Sequence, residues 1–460
     1  MEAVLRRVEA FVEREQLFRG VRKLVVAVSG GPDSLALVEV ARRLAPRYGF
    51  EVIVAHFDHK LREDSHRDLE YVRGLAQRLG LRCATGEGDV AARARELRRG
   101  IEETARELRY QFLAFIAERE RAEAVATGHT ADDLAETVLF RVVRGTGVRG
   151  LRAMTPAAPL PGAPALRLVR PLLELRRHET EAICRAAGLE PLADRSNLDP
   201  RFTRNRLRNE IMPALRRLNP ALERALTTLA ESAREAYRLL EREALAARPE
   251  HRGPTEVIFT REALLGLPLE ALELVLEREA AFLRRTLEAN RTRLTTAREV
   301  LRRGSGEVSF GALLFEVSCG KARLGEPVAD GEAEAGSVVL EVPGSVRLGP
   351  WRVSVATEPP AATAAVAVDP TTLRGALRVR ALRPGDRVGR EGFEKKVSDV
   401  LTDLKVPRWE RRRVLAVTDG ARIVALLGAP EAAQPRPRPS GEALWIWAEP
   451  LAPFSRGSPG

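Results

Sequence analysis

Hydrophobic positions in the first third of the chain follow two alternating rhythms. Leu24–Val28 is an unbroken apolar run rich in β-branched residues, the pattern of a strand buried on both faces of a parallel sheet. "DSLALVEVARRLA" then places apolar residues at helical spacing, and "FEVIVAHFDH" returns to a strand pattern. The helix "RDLEYVRGLAQRLG" leads to a short strand near Arg82–Thr85. The helix "IEETARELRYQFLAFIAERE", the strand "AEAVATGHT" and the helix "TADDLAETVLFRVVRG" complete the series. The alternation predicts a doubly wound α/β domain with a mostly parallel sheet. Ligands of such sheets bind beyond the carboxyl ends of the strands. "SGGPDS", "HFDH" and "GHTADD" all fall there.

Beyond this domain the pattern changes twice. Residues 153–165 are Pro-rich and read as a loop, "HETEAICRAAGL" returns to helix, and "ADRSNLDPRFTRNRLRNEIMPALRRLNP" is strongly basic. Residues 220–303 read as wholly helical, and short strands with glycine turns follow from Gly304. The expected organisation is an α/β domain at 1–217, a helical domain at 218–325 and a linker with short strands at 326–377. A small α+β domain at 378–448 and a disordered tail at 449–460 complete it.

Composition narrows the class. The chain has 75 Lys+Arg against 64 Asp+Glu, a net charge of +11, which suits a polyanionic partner. A GC-rich genome that favours arginine gives the same excess, so charge alone leaves both readings open. Three scattered cysteines argue for a reducing compartment and against a disulfide framework. The opening "MEAVLRRVEAFVEREQ" is unlike a signal peptide, and no apolar run approaches a membrane span. A soluble cytoplasmic protein with no membrane partner is expected.

The loop "SGGPDS" joins a strand to a helix, the context that a phosphate site needs. Gly30 and Gly31 let the backbone bring N–H groups close to anionic oxygens, Pro32 belongs to the same expected binding loop, and the helix beginning near Asp33 adds positive potential through its dipole. Ser29 and Ser34 offer hydroxyls. Asp33 would repel a bare phosphate, so its presence points to a bridging Mg²⁺. A Walker loop would carry a lysine, and this one has none. In "GHTADDLAET", Thr130 can cap a helix whose first turn holds Asp132 and Asp133. Asp133 and Glu136 are three apart and share a face, which would suit a cationic substrate.

These motifs carry a resemblance. "SGGPDS" resembles the SGGxDS signature of the PP-loop ATP pyrophosphatases, which cleave ATP between the α and β phosphates and share the adenine nucleotide alpha-hydrolase-like fold. "HFDHKLREDS", "IEETARELRY", "GHTADDLAETVLFRVVRGTGVRGL", "RPLLELRR" and "SNLDPRFTRNRLRNEIMP" are similar to segments of the bacterial tRNA(Ile)-lysidine synthetase family. Near the end, "LRPGD" and "KKVSDVLTDLKVPRWERR" add to the match, which spans residues 25–217 and then 378–413. The resemblance implies adenylation of the C2 oxygen of the wobble cytidine in a tRNA(Ile) with CAU anticodon, followed by attack of L-lysine. It implies ATP as co-substrate and Mg²⁺ as cofactor. Asp33, Arg109, His129, Asp133 and Glu136 are the implied catalytic residues, Asp133 and Glu136 receiving lysine and His56 lying beside the nucleotide. Which group deprotonates the amine stays open.

Six arginines and one acid lie between Arg201 and Arg217. A solvated basic helix is the plain reading. The resemblance implies that Arg204, Asn205 and Arg208 contact ATP phosphates or tRNA, that the helical domain 218–325 contacts tRNA, and that the C-terminal domain 378–448 binds it, with Lys395, Lys396 and Arg408 in contact. Trp409 reads as core. "GTGVRG" at Gly145–Gly150 spells a dinucleotide fingerprint but closes a helix instead of opening one, so a C-cap is expected. "HFDH" lacks a further ligand set for zinc. A tRNA-thiolating PP-loop enzyme would call for clustered cysteines, and a relic tRNA-binding protein would not need Asp33, His129, Asp133 and Glu136 together. The oligomeric state is left open, a homodimer included.

Overall fold

In the computed structural model, residues 2–61, 65–192, 203–327, 336–361, 364–390, 393–420, 422–435 and 441–451 are described, with backbone alone for Thr203, Arg204 and Arg390. Contacts divide the chain into two compact units, Met1–Leu239 and Leu240–Gly460.

The first unit begins with helix α1 (Glu2–Arg14) and strand β1 (Lys23–Ala27), followed by α2 (Pro32–Tyr48), β2 (Glu51–Asp58), α3 (His66–Arg78) and β3 (Arg82–Glu87). Next come α4 (Val90–Leu97), α5 (Ile101–Glu120), β4 (Ala124–Ala126), α6 (Ala131–Arg144) and the one-turn α7 (Val148–Leu151). Strands β5 (Ala157–Leu160) and β6 (Ala163–Val169) and helix α8 (Arg177–Ala186) follow. The sheet order is β3-β2-β1-β4-β6-β5, with every pairing parallel except β5 against β6. β1 is apolar throughout because both its faces are covered. Leu24 and Val26 join the core against α1 and α2, whereas Val25 joins Leu113 and Ile116 of α5 on the other side. The direction of strand order reverses at β1, between β2 and β4, so the crevice of a doubly wound sheet opens there.

Two expectations need correction here. The Pro-rich stretch at 153–165 is not a loop. It enters the β5–β6 hairpin, in which β5 is an edge strand that tolerates Pro159 because one side of its backbone needs no partner. Residues 220–303 are not wholly helical either, since they include β7 (His251–Arg252) and β8 (Glu256–Thr260).

After α8, the described chain resumes in α9 (Thr203–Arg206), a π-helical turn at Leu207–Ile211, α10 (Met212–Leu218) and α11 (Leu222–Ala246). The wide turn has a local cause. Pro213 has no N–H for the residue four before it, and Met212 N–H instead reaches back to Leu207 O.

In the second unit, α12 (Arg261–Leu265), α13 (Leu269–Phe282) and α14 (Arg291–Arg303) accompany the sheet β7-β8-β11-β10-β9, where β9 is Gly306–Phe310, β10 Leu313–Ser318 and β11 Lys321–Gly325. Val257, Phe259, Leu272, Leu276, Phe310 and Phe315 form its core. Two four-stranded sheets and a hairpin at 387–396 make up the remainder, with α15 (Val397–Asp403) and α16 (Arg408–Arg411) beside them. Part of the 326–377 stretch is thus built into sheets, including strands at Gly344–Leu348 and Trp351–Ala356. Of the expected tail, residues 449–450 belong to the strand Leu444–Pro450, and residues 452–460 lie outside the described residues. No helix among the described residues is long and apolar enough to cross a membrane.

Candidate active site

The loop after β1 is shaped by two glycines and its own serines. Gly30 has φ +91°, a conformation that side chains other than glycine's rarely adopt. Pro32 occupies the first turn of α2 after an extended Gly31, and no side chain caps that end. The first-turn amides of α2 are thus left for an external acceptor. Ser34 Oγ donates to Gly31 O at 2.9 Å and accepts from Ser29 N–H at 3.2 Å. Its hydroxyl therefore braces the loop instead of pointing outward, and Ser34 is buried. From the far side, Leu192 N–H donates to Gly30 O at 3.0 Å and its side chain packs where a Cβ on Gly30 would stand.

Asp33 lies in the first turn of α2, and its Oδ1 accepts a 2.5 Å hydrogen bond from Thr180 Oγ on α8. Burial, reinforced by the nearby Asp133 and Asp132 carboxylates, raises its pKa to about 6 against the pull of Thr180 and Arg177. Gly128, in the loop after β4, comes so near that an added Cβ would stand 2.8 Å from Asp33 O. The sequence reading missed Gly128; a glycine directly after a strand, ahead of a helix cap, was its one available clue.

The acids of α6 are all engaged. Thr130 and Asp133 form a capping box, with Asp133 Oδ2 accepting from Thr130 N–H at 2.9 Å and Thr130 Oγ at 3.1 Å. Asp132 accepts the Arg177 N–H at 2.8 Å and so fixes the start of α8. Arg208, carried on the π-helical turn, donates to both oxygens of Glu136 at 2.6 and 2.7 Å and to Asp133 Oδ1 at 3.1 Å. The arginine expected at a phosphate is seated in this conformation between the two acids expected to receive lysine. Burial opposes its charge, yet the hydrogen bonds and charge of Glu136, with Asp133 and Asp33 behind, raise its pKa above the usual value.

His129 lies near Asp133 and near three arginines. His129 Nδ1 lies 2.8 Å from Thr127 Oγ. Burial drives its pKa far down; Asp133 opposes this, while Arg170, Arg109 and Arg106 add to it. The guanidinium carbons of Arg106 and Arg109 lie 4.9 and 5.5 Å from the ring centre of Tyr110. His56 is buried and donates from Nδ1 to Val28 O at 2.8 Å, tying the end of β2 to the loop after β1. Burial lowers its pKa too, and that of His59 falls to about 4 through burial and then Arg109. The imidazoles are neutral near pH 7. Sequence reasoning missed Arg106, Arg170 and Thr180, which depend on tertiary neighbours, and weighed His59 of "HFDH" only as a zinc ligand.

Other expected contacts lie elsewhere. Asn205 is half-buried and the side chain of Arg204 lies outside the described residues, as do Ser196–Arg201 of the basic segment. In the second unit, Lys395 is paired with Asp403, whereas Lys396 and Arg408 are exposed. Trp409 is fully buried, and Arg413 forms a double hydrogen bond with Glu256, at 2.9 Å for each. Gly145 caps α6, so the dinucleotide-like "GTGVRG" closes a helix.

Among the described residues, no group of three or more His, Cys, Asp and Glu side chains is arranged to hold a metal ion. A single carboxylate suffices for Mg²⁺ when substrate phosphates complete the shell. Asp33, raised in pKa by burial and two neighbouring acids, fits that role.

Comparison with known proteins agrees with this geometry. A PP-loop domain family matches residues 1–215. A tRNA(Ile)-lysidine synthase of Dehalococcoides mccartyi is 42% identical over 238 residues, 51% of this chain and 50% of that one. Those of Symbiobacterium thermophilum and Geobacillus kaustophilus are 37% and 32% identical, covering 92% and 90% of this chain and 93% and 92% of theirs. With a phosphate loop and an acid pair meeting at the switch point of its sheet, and relatives matched along nearly their whole length, the chain belongs to the tRNA(Ile)-lysidine synthase family.

Proposed function

We propose that the chain ligates L-lysine to C2 of the wobble cytidine of a tRNA(Ile) with CAU anticodon, consuming ATP and giving lysidine, AMP and pyrophosphate. The observation that carries this reading is the acid pair Asp133 and Glu136, which already holds a cation, beside an uncapped helix start. One half of the site suits an ammonium and the other suits phosphates.

The C2 oxygen of cytidine attacks the α-phosphorus of ATP, an O–P bond forms, and the bond to pyrophosphate breaks. The oxygen is now part of an AMP ester and can leave. The ε-amine of lysine, once deprotonated, attacks C2 and AMP departs with that oxygen. Gly30, Gly31 and the first turn of α2 hold the pyrophosphate through backbone amides. Asp33 would hold Mg²⁺, which would supply positive charge against the departing pyrophosphate. Asp133 and Glu136 receive the lysine ammonium after Arg208 leaves them for the phosphates. Arg109 serves the reacting groups, with the neutral His129 and His59 near it. Glu136, which holds the ammonium once Arg208 has left, is positioned to take its proton.

A heavy-oxygen label placed at C2 of the wobble cytidine tests the reaction. Mass spectrometry should find the label in AMP. Label retained in the RNA while lysine is incorporated would rule out adenylation at that oxygen.

A further inference from the structure

We propose that Thr180 is a positioning residue for Asp33, holding one carboxylate oxygen from behind so that the other is free for the cation and phosphates. The inference rests on the reading of Asp33 given above.

Thr180 is fully buried on α8, so no water competes for its hydroxyl. That hydroxyl has one hydrogen and two acceptors in reach, Asp33 Oδ1 at 2.5 Å and Arg177 O at 2.7 Å. A carboxylate is the stronger acceptor, because charge-assisted bonds are roughly twice as strong as neutral ones. The backbone carbonyl lies in the first turn of a helix and has its helical partner to fall back on. The hydrogen therefore goes to Asp33. Among the described residues no hydrogen bond reaches Asp33 Oδ2.

A second contact from the same helix face supports the assignment. Cys184, four residues after Thr180 and buried, donates from Sγ to Pro32 O at 3.3 Å. Helix α8 thus grips two consecutive residues, Pro32 through its carbonyl and Asp33 through its side chain. Asp132 in turn anchors the start of α8 by accepting the Arg177 N–H. The phosphate loop is therefore braced through α8 from the helix that carries the acid pair. Bracing of this kind fixes a ligand's orientation without touching substrate.

The test compares Thr180→Val, which keeps the shape and removes the hydroxyl, with Thr180→Ser, which keeps the hydroxyl. Binding of ATP to the full chain is measured directly over a range of Mg²⁺ concentrations, with the KM for lysine and the melting temperature alongside. In Thr180→Val the half-saturating Mg²⁺ should rise roughly tenfold or more, the scale for losing a hydrogen bond to a charged group. Thr180→Ser should stay within about threefold of the unaltered chain, and the KM for lysine should not move in either. Unchanged Mg²⁺ dependence in Thr180→Val would overturn the proposal. So would an equal loss in both variants tracking a fall in melting temperature, which would mark a packing role. If Thr180→Val fails to fold, Thr180→Ala takes its place with the same expectations. Asp33→Asn is the control: if it binds ATP with undiminished Mg²⁺ dependence, the reading of Asp33 fails and not the role of Thr180 alone.

Discussion

Asp33 is ionised near pH 7 in surroundings that disfavour the charge, with burial and two neighbouring acids raising its pKa to about 6. In an unfolded chain the value is about 3.9, so the folded state holds this proton more tightly. Below the unfolded value the penalty is absent; it grows as pH rises and is complete above about 6. Asp33→Asn should accordingly raise stability at pH 7.5 by on the order of 2 kcal/mol in metal-free buffer, while abolishing AMP release. Thermal melts and an AMP assay check both halves; a lower melting temperature would contradict the first. His59 acts in the opposite sense. Its folded pKa, about 4, lies below the unfolded value near 6.5, so its contribution is intact above 6.5 and lost as pH falls towards 4. His59→Gln should flatten the acid side of the stability curve by about 1 kcal/mol, read from melts across that window.

At the scale of elements, the site depends on two backbones that touch. The loop after β4 passes so close to α2 that a Cβ on Gly128 would stand 2.8 Å from Asp33 O and 3.1 Å from Ser34 N. Backbone cannot yield as a side chain can, so Gly128→Ala should destabilise by roughly 1–3 kcal/mol and weaken ATP binding. Gly30 differs, because the atom it would meet is the tip of Leu192, and its own φ of +91° is the stronger constraint. The main α/β elements were legible because β1 and β2 are continuous apolar runs and the helices between them keep one period. The β5–β6 hairpin was not, since Pro159 and Gly162 mask a strand that sits partly on an edge. β8 was hidden for another reason: five residues between charged helices are too short for the period to decide. In the site, the loop and the acid pair could be read from local spacing. The seat of Arg208 could not, because Glu136 lies 72 residues away in sequence, and nothing local marks Thr180 as the partner of Asp33.

Across the whole molecule, the positive charge is spent in two ways. Arg323 is buried between Glu256 and Glu316, and Arg413 closes on Glu256 from the C-terminal segment. In the basic run expected to meet RNA, Lys395, Arg412 and Arg413 are paired with acids of the second unit. Lys405 is exposed, and so are Lys396 and Arg408, the two expected to contact tRNA. Replacing both by alanine should weaken tRNA binding and reduce the slope of log affinity against log salt by about 2 if each neutralises one phosphate. AMP release at saturating tRNA should be unaffected. A slope that does not change would remove these residues from the RNA contact.

The most direct measurement follows labelled lysine into RNA. The chain is incubated with unmodified tRNA(Ile) bearing CAU, ATP, Mg²⁺ and labelled lysine, and label in the RNA is compared with AMP released. The expected result is one lysine per AMP, none when the wobble cytidine is replaced by uridine, and none with Asp33→Asn. Tight binding of the tRNA with no lysine transferred at saturating ATP and lysine would contradict the proposed reaction.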